Sequence, residues 1–145
     1  MNVKTSNIAI TVRVIINIPV ERVWEYWTEP RHIMKWNNAS DDWYTPKAEN
    51  DLRAGGKFLS RMEARDGSMG FDFSGKYSKI VPLKLIEYIL DDERKVQVRF
   101  EPVGEKTMII EVFEAEQENP IEMQKTGWQA ILDNFKKYTE ASKKK

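Results

Sequence analysis

The chain has 145 residues with 23 Lys+Arg and 23 Asp+Glu, so its formal net charge is zero and neither nucleic acid nor an anionic membrane is expected as a partner. It contains no cysteine, which excludes a disulfide framework, a thiolate nucleophile and a cysteine-based metal site. A chain of this length fits one domain over residues 1–145, able to bury roughly 68–70% of the surface its unfolded form exposes.

The first residues, Met1 to Asn7, lack the apolar core of a signal peptide, and no apolar run reaches the roughly 18 residues of a membrane span. A soluble, cytoplasmic protein is expected. From Ile8 to Ile18 the even positions are Ile8, Ile10, Val12, Val14, Ile16 and Ile18, while Thr11, Arg13 and Asn17 fall between them, which predicts a long strand with one buried face. Val20, Val23, Trp24 and Trp27 then follow the spacing of one helix face, and Thr28-Glu29-Pro30 opens a second short helix leading to Ile33 and Trp36. His32, the sole histidine, sits beside Arg31 on that second helix and reads as exposed and solvated.

Asn37 to Asn50 is polar, contains Pro46 and Asp41-Asp42, shows no period, and reads as a loop that holds Trp43 and Tyr44. Alternation returns after Gly55-Gly56, with Phe58, Met62 and Ala64 on one side, up to a hairpin signal at Asp66-Gly67. Gly55-Gly56 is a strand entry rather than a phosphate cradle, because no helix follows it. The next strand carries Phe71, Phe73, Gly75 and Tyr77 on one side. Leu83 to Leu90 is apolar on both sides and leaves its register open. Val96, Val98 and Phe100 alternate with charged residues, and Lys106 to Ala115 sets Met108, Ile110 and Val112 opposite Ile109, Glu111 and Phe113.

Asn119-Pro120-Ile121-Glu122 matches a capped helix start with Asn119 at the N-cap, Pro120 at the first position and Glu122 at the third. Ile121, Gln124, Trp128, Ile131, Phe135 and Tyr138 form one stripe over the helix that follows. Lys143-Lys144-Lys145 reads as a solvated tail. One strand, two short helices, about five further strands and a long helix predict an α+β fold, a curved antiparallel sheet of about six strands whose apolar face is covered by the terminal helix.

Three stretches, "VERVWEYWTEPRHIMKW" (Val20 to Trp36), "DLRAGGKFLSRMEARDGSMGFDFSGKY" (Asp51 to Tyr77) and "GWQAILDNFKKY" (Gly127 to Tyr138), resemble the START-like, or SRPBCC, superfamily with its helix-grip fold. Within it they are most similar to the family named for the C-terminal domain of the activator of the ninety-kilodalton heat-shock chaperone's ATPase. The resemblance implies a cavity between sheet and C-terminal helix. It also implies three roles: a non-enzymatic module for a small apolar or aromatic ligand, a domain regulating a heat-shock chaperone in the stress response, or a cyclase- or aromatase-like enzyme.

The residues placed inward by alternation, Phe58, Phe71, Phe73, Tyr77, Phe100 and Trp128, are core packing or cavity wall, and Met62, Met108, Trp36 and Ile131 are assigned to the same space. Tyr77, with its hydroxyl, is the candidate for orienting a ligand. Gly127, a helix glycine beside the largest side chain, reads either as close packing on a strand or as the cavity floor. No nucleophile with a base, no phosphate loop and no spaced pair of carboxylates on an apolar face appears, so no catalytic residue, cofactor or metal is assigned. A monomer or weak dimer is expected.

Overall fold

Period-two segments become strands in the computed structural model, which describes residues 8–142. The readings of Met1 to Asn7 and of the Lys143–Lys145 tail lie outside the described residues. Strand β1 (Ala9–Ile16) buries Ile10, Val12 and Ile16 and turns Arg13 and Ile15 outward. Helix α1 (Val20–Thr28) follows Pro19. Helix α2 (Pro30–Trp36) carries its proline in the first turn, where the missing N–H has no intrahelical partner to lose. Strands β2 (Trp43–Asn50), β3 (Lys57–Ala64), β4 (Gly70–Val81), β5 (Leu85–Leu90), β6 (Lys95–Val103) and β7 (Lys106–Glu114) come next, and α3 (Ile121–Ala141) ends the described chain.

The seven strands form one antiparallel sheet in the order β1-β7-β6-β5-β4-β3-β2. From β2 to β7 each strand pairs with its sequence neighbour, and β1 returns to the edge beside β7. The two helices between β1 and β2 therefore carry the chain from one edge of the sheet to the other. The sheet curls around α3 in a helix-grip α+β arrangement. Its inward side chains, among them Val12, Ile86, Val98, Ile109 and Phe113, form one core with Val23 of α1 and Leu132 and Phe135 of α3.

Two glycines let neighbouring strands meet. Gly75 allows β4 to approach β5, since a Cβ there would stand 2.4 Å from the Ile89 carbonyl oxygen. Gly104, at a φ of 63°, is the first residue of the two-residue turn between β6 and β7, a place where L side chains are strained. The outer edge of β1 is covered by α3: Gln129 Nε2 donates to the Arg13 carbonyl at 3.0 Å and Lys136 Nζ to the Ile15 carbonyl at 2.7 Å. Satisfied carbonyls cannot template pairing with another chain.

Three expectations are corrected. The sheet has seven strands rather than about six, because Trp43–Asn50 is an edge strand and not a loop. Pro46 hid it. A proline is tolerated on an edge strand at a bulge, and the β2–β3 register shifts between Tyr44 and Lys47, across Pro46.

The long helix begins at Ile121 with Pro120 in the capping position and no side-chain cap. Asn119 instead donates its amide to Glu116 Oε2 at 2.5 Å, and Gln124 reaches back from inside the helix to the Glu116 and Asn119 carbonyls at 3.1 and 2.8 Å. Finally, His32 is buried. Its ring stacks on Tyr26 with centroids 3.8 Å apart, and its Nδ1 shares a 2.7 Å hydrogen bond with the Tyr138 hydroxyl.

Candidate functional site

Side chains on the concave face do not fill it evenly. Toward α1 and α2 they interlock: Trp24 and Trp27 meet Phe100 edge-on at 5.1 and 5.9 Å, and Phe135 meets Trp27 and Trp36 edge-on at 5.0 and 4.9 Å. Toward β3, β4 and β5 they stand apart around a cavity of about 210 Å³. Its walls come from all three helices and from β3, β4, β5 and β7.

Of the residues assigned from sequence, Trp36, Phe58, Met62, Phe73, Tyr77, Trp128 and Ile131 face this cavity, together with Phe71 at 49% exposure. Three do not. Phe100 is fully inside the packed aromatic cluster under Trp24 and Trp27. Met108 lies on the opposite face of β7 from Ile109 and Glu111, because strand side chains alternate. Gly127 neither lines the cavity nor packs closely, since a Cβ built there meets nothing within 4 Å.

Sequence reasoning missed Trp27, Ile33, Asn37, Ser60, Ile86, Tyr88 and Glu111, which complete the lining. The register of β5, open from sequence, is settled by burial: Ile86, Tyr88 and Leu90 point inward and Ile89 outward. Glu111 had a visible signal. It shares the inward face of β7 with Ile109 and Phe113, at 0% and 1% exposure, and is itself 6% exposed. A carboxyl at an inward position breaks the apolar pattern.

The polar groups of the cavity divide into engaged and free ones. The Tyr77 hydroxyl donates to Asn50 Oδ1 at 2.5 Å, and Asn50 Nδ2 donates onward to the Thr28 carbonyl at 2.5 Å, so that β4, β2 and the end of α1 are tied together. Burial raises the Tyr77 phenol well above its ordinary value. The proton of that hydroxyl is committed to Asn50, which leaves its oxygen able only to accept a hydrogen bond from a ligand. The Trp36 indole N–H is likewise engaged, donating to the Tyr26 carbonyl at 2.9 Å.

Glu111 is free: among the described residues its carboxyl has no hydrogen bond and no ion pair. Its cross-strand neighbours are Val12 and Val98, exposed by 2% and 0%, and burial pushes its pKa up to about 8. The neighbouring Tyr88 phenol is raised well above its usual range by burial first and by Glu111 second.

A second group of potential ligands lies outside the cavity. Oxygen and nitrogen atoms of Glu25, Glu29 and His32 come within 4.8 Å of one another. Arg31 pairs with both carboxylates, at 3.3 and 2.8 Å, and supplies the positive charge there. Burial and the Arg31 charge lower the His32 pKa, with Glu29 and Glu25 offsetting part of the shift. Among the described residues, no helix is long and apolar enough to cross a membrane.

A family model described as "Activator of Hsp90 ATPase homolog 1-like protein" matches residues 17–140. The chain is similar to the AHSA1-like protein from Aeromonas hydrophila, whose solution structure superposes with a TM-score of 0.89 at 39% identity, over 95% of this chain and 96% of that one. It is also similar to Chr148 from Cytophaga hutchinsonii, at 51% identity and a TM-score of 0.79, over 92% and 93% of the two chains. Protein NE0264 from Nitrosomonas europaea shares the fold at 17% identity, with a TM-score of 0.81 over 98% of this chain and 100% of that one. No curated protein matches the chain.

Proposed function

The chain belongs to the Activator of Hsp90 ATPase homolog 1-like family, and from that premise and the hollow half of its interior we propose that it is a non-enzymatic module binding a small apolar or aromatic molecule between the sheet and α3. One observation carries the reading: a space of about 210 Å³ bounded by the faces and edges of Phe58, Phe73, Tyr77, Tyr88, Trp36 and Trp128. An apolar cavity of about 150 Å³ already admits benzene, so this one suits a ring with a short substituent. Phe71, exposed and 5.9 Å from Trp43, marks the mouth. Thermal-shift measurement against small aromatic compounds tests the proposal. A rise in melting temperature for ring-sized compounds, and a compound released on denaturation and identified by mass spectrometry, are the expected results. The absence of both would refute it.

The family's description favours a second reading, a domain that regulates a heat-shock chaperone's ATPase. On that reading the chain would be retained by the immobilised chaperone and would change its ATP turnover. Failure of both would remove it.

A further inference from the structure

We infer that the cavity recognises an amine: Glu111 is the counter-ion for a small aromatic molecule carrying a protonated nitrogen, with the surrounding rings as the remainder of its cage. This deepens the ligand-binding reading above and rests on it.

Glu111 lacks a partner among the described residues. An isolated carboxyl in an apolar interior is costly, and proteins ordinarily pair it or hydrogen-bond it. Here β1 and β6 place Val12 and Val98 opposite Glu111, and Ile109 and Phe113 flank it on β7. The lining from α1, α2, α3 and β3 carries no titratable group; β4 and β5 contribute only the Tyr77 and Tyr88 phenols. Arg94, the cation that acts on Tyr88, is turned away, donating to Asp92 Oδ2 at 2.8 Å and to the Glu114 carbonyl at 3.3 Å. The protein thus sets one acid at the wall of an aromatic cavity and no base. A ligand cation supplies the missing partner.

The rest of the lining favours the same charge. Aromatic faces attract cations through their quadrupoles, and more strongly where water is excluded. An anionic ligand would meet both a carboxyl and the negative faces of several rings. Ser60 and Asn37, whose side chains have no hydrogen bond among the described residues, offer acceptors for the remaining ammonium protons.

The proton balance follows from the carboxyl's raised pKa of about 8. Below that pH the empty cavity holds a neutral acid. An ammonium ion enters, the carboxyl proton leaves to buffer, and a carboxylate–ammonium pair remains, so each binding event releases one proton. Affinity therefore rises by about tenfold per pH unit between pH 6 and 7.5 and levels off above pH 8 to 9.

Three isosteric probes separate the possibilities: 2-phenylethylamine, 2-phenylethanol and phenylacetate, titrated calorimetrically at pH 6, 7 and 8. The amine is expected to bind at least tenfold more tightly than the alcohol at pH 8, with phenylacetate weakest, and to release close to one proton at pH 6. In Glu111→Gln the preference of amine over alcohol collapses to about one. The pH slope in the unmodified protein stands as a separate measurement, whatever the variant's stability. An alcohol that binds as tightly as the amine, or an amine affinity flat with pH, overturns the inference while leaving the apolar-ligand reading in place. Binding by none of the three overturns both.

Discussion

The two ends of the concave interior use the same kinds of side chain and reach opposite results. At the α1–α2 end, Trp24, Trp27, Trp36, Phe100 and Phe135 meet edge to face at 4.9 to 5.9 Å, or stack as Trp27 and Trp36 do at 4.8 Å. At the other end, Phe58 keeps Tyr77 at 5.2 Å and Tyr88 at 4.8 Å, but the space between these rings and Trp128 is open. The difference is one of contact. At the first end the rings of α1, α2 and α3 meet one another and Phe100, whereas at the second α1 and α2 supply only Trp27, Ile33 and Trp36 to a wall shared with α3, β3, β4 and β5. Aromatic content does not decide between core and cavity; whether the rings of the covering helices meet those of the sheet does.

The largest effect should come from hollowing the filled end. Phe135 is fully buried between Trp27 and Trp36, so Phe135→Ala is expected to cost about 3–5 kcal/mol in urea unfolding. A loss of only about 1–3 kcal/mol would mean that this end is as loose as the other.

Glu111 makes the hollow end sensitive to pH. Its folded pKa of about 8 lies above the 4.5 of an ordinary glutamate, so the unfolded chain releases its proton first as the pH rises. Stability is therefore greatest below pH 4.5 as far as this group is concerned, and declines up to pH 8 by roughly 3–5 kcal/mol at about 1.36 kcal/mol per unit. Glu111→Gln should flatten that decline, seen as a melting temperature that no longer falls between pH 5 and 8. A decline unchanged in the variant would assign it to another group. His32 acts with the opposite sign: its lowered pKa means that stability is lost as pH falls below 6.5, where the unfolded imidazole protonates and the buried one does not.

Trp128 belongs to both worlds. It stacks on Phe113 at 3.8 Å yet also lines the cavity. Trp128→Ala enlarges a space that already exists, and we expect a loss of about 1–3 kcal/mol, clearly less than at Phe135. An equal loss would show that the cavity is not open beneath the indole.

These contrasts also mark what was legible in the sequence. Alternation placed β1, β3, β4, β6 and β7, because each has one face in the core and a strand's period of two makes that visible. It failed for β2, an edge strand with a proline at its bulge and little to bury, and it left β5 without a register because Ile89 is apolar yet 38% exposed. The inward aromatic residues could be read as a set, but their division into cluster and cavity could not, since that depends on where α1 and α2 land. Phe100 and Phe58 look alike along their strands. His32 reads as exposed from sequence because nothing in α2 itself marks it as buried; Tyr138 and Tyr26 are brought against it only by the fold. Glu111 is readable from the pattern: an acid in phase with Ile109 and Phe113 is the charged position on the buried face of β7, where pattern and chemistry disagree. Such disagreements concentrate at functional sites.

Gly127 provides the finest test of the two ends. It lies in α3 directly before Trp128, where a glycine in a helix interior costs roughly 0.5–1 kcal/mol relative to alanine. Were it needed for close packing, an added methyl group would collide; instead it would meet nothing within 4 Å. Gly127→Ala should therefore stabilise the protein by about that 0.5–1 kcal/mol, through a less entropic unfolded chain. If the helix must bend or shift at this point to admit a molecule beneath Trp128, the same change will slow ligand association while raising the melting temperature. Stopped-flow quenching of indole fluorescence would separate a purely thermodynamic gain from one that stiffens the lid of the hollow end.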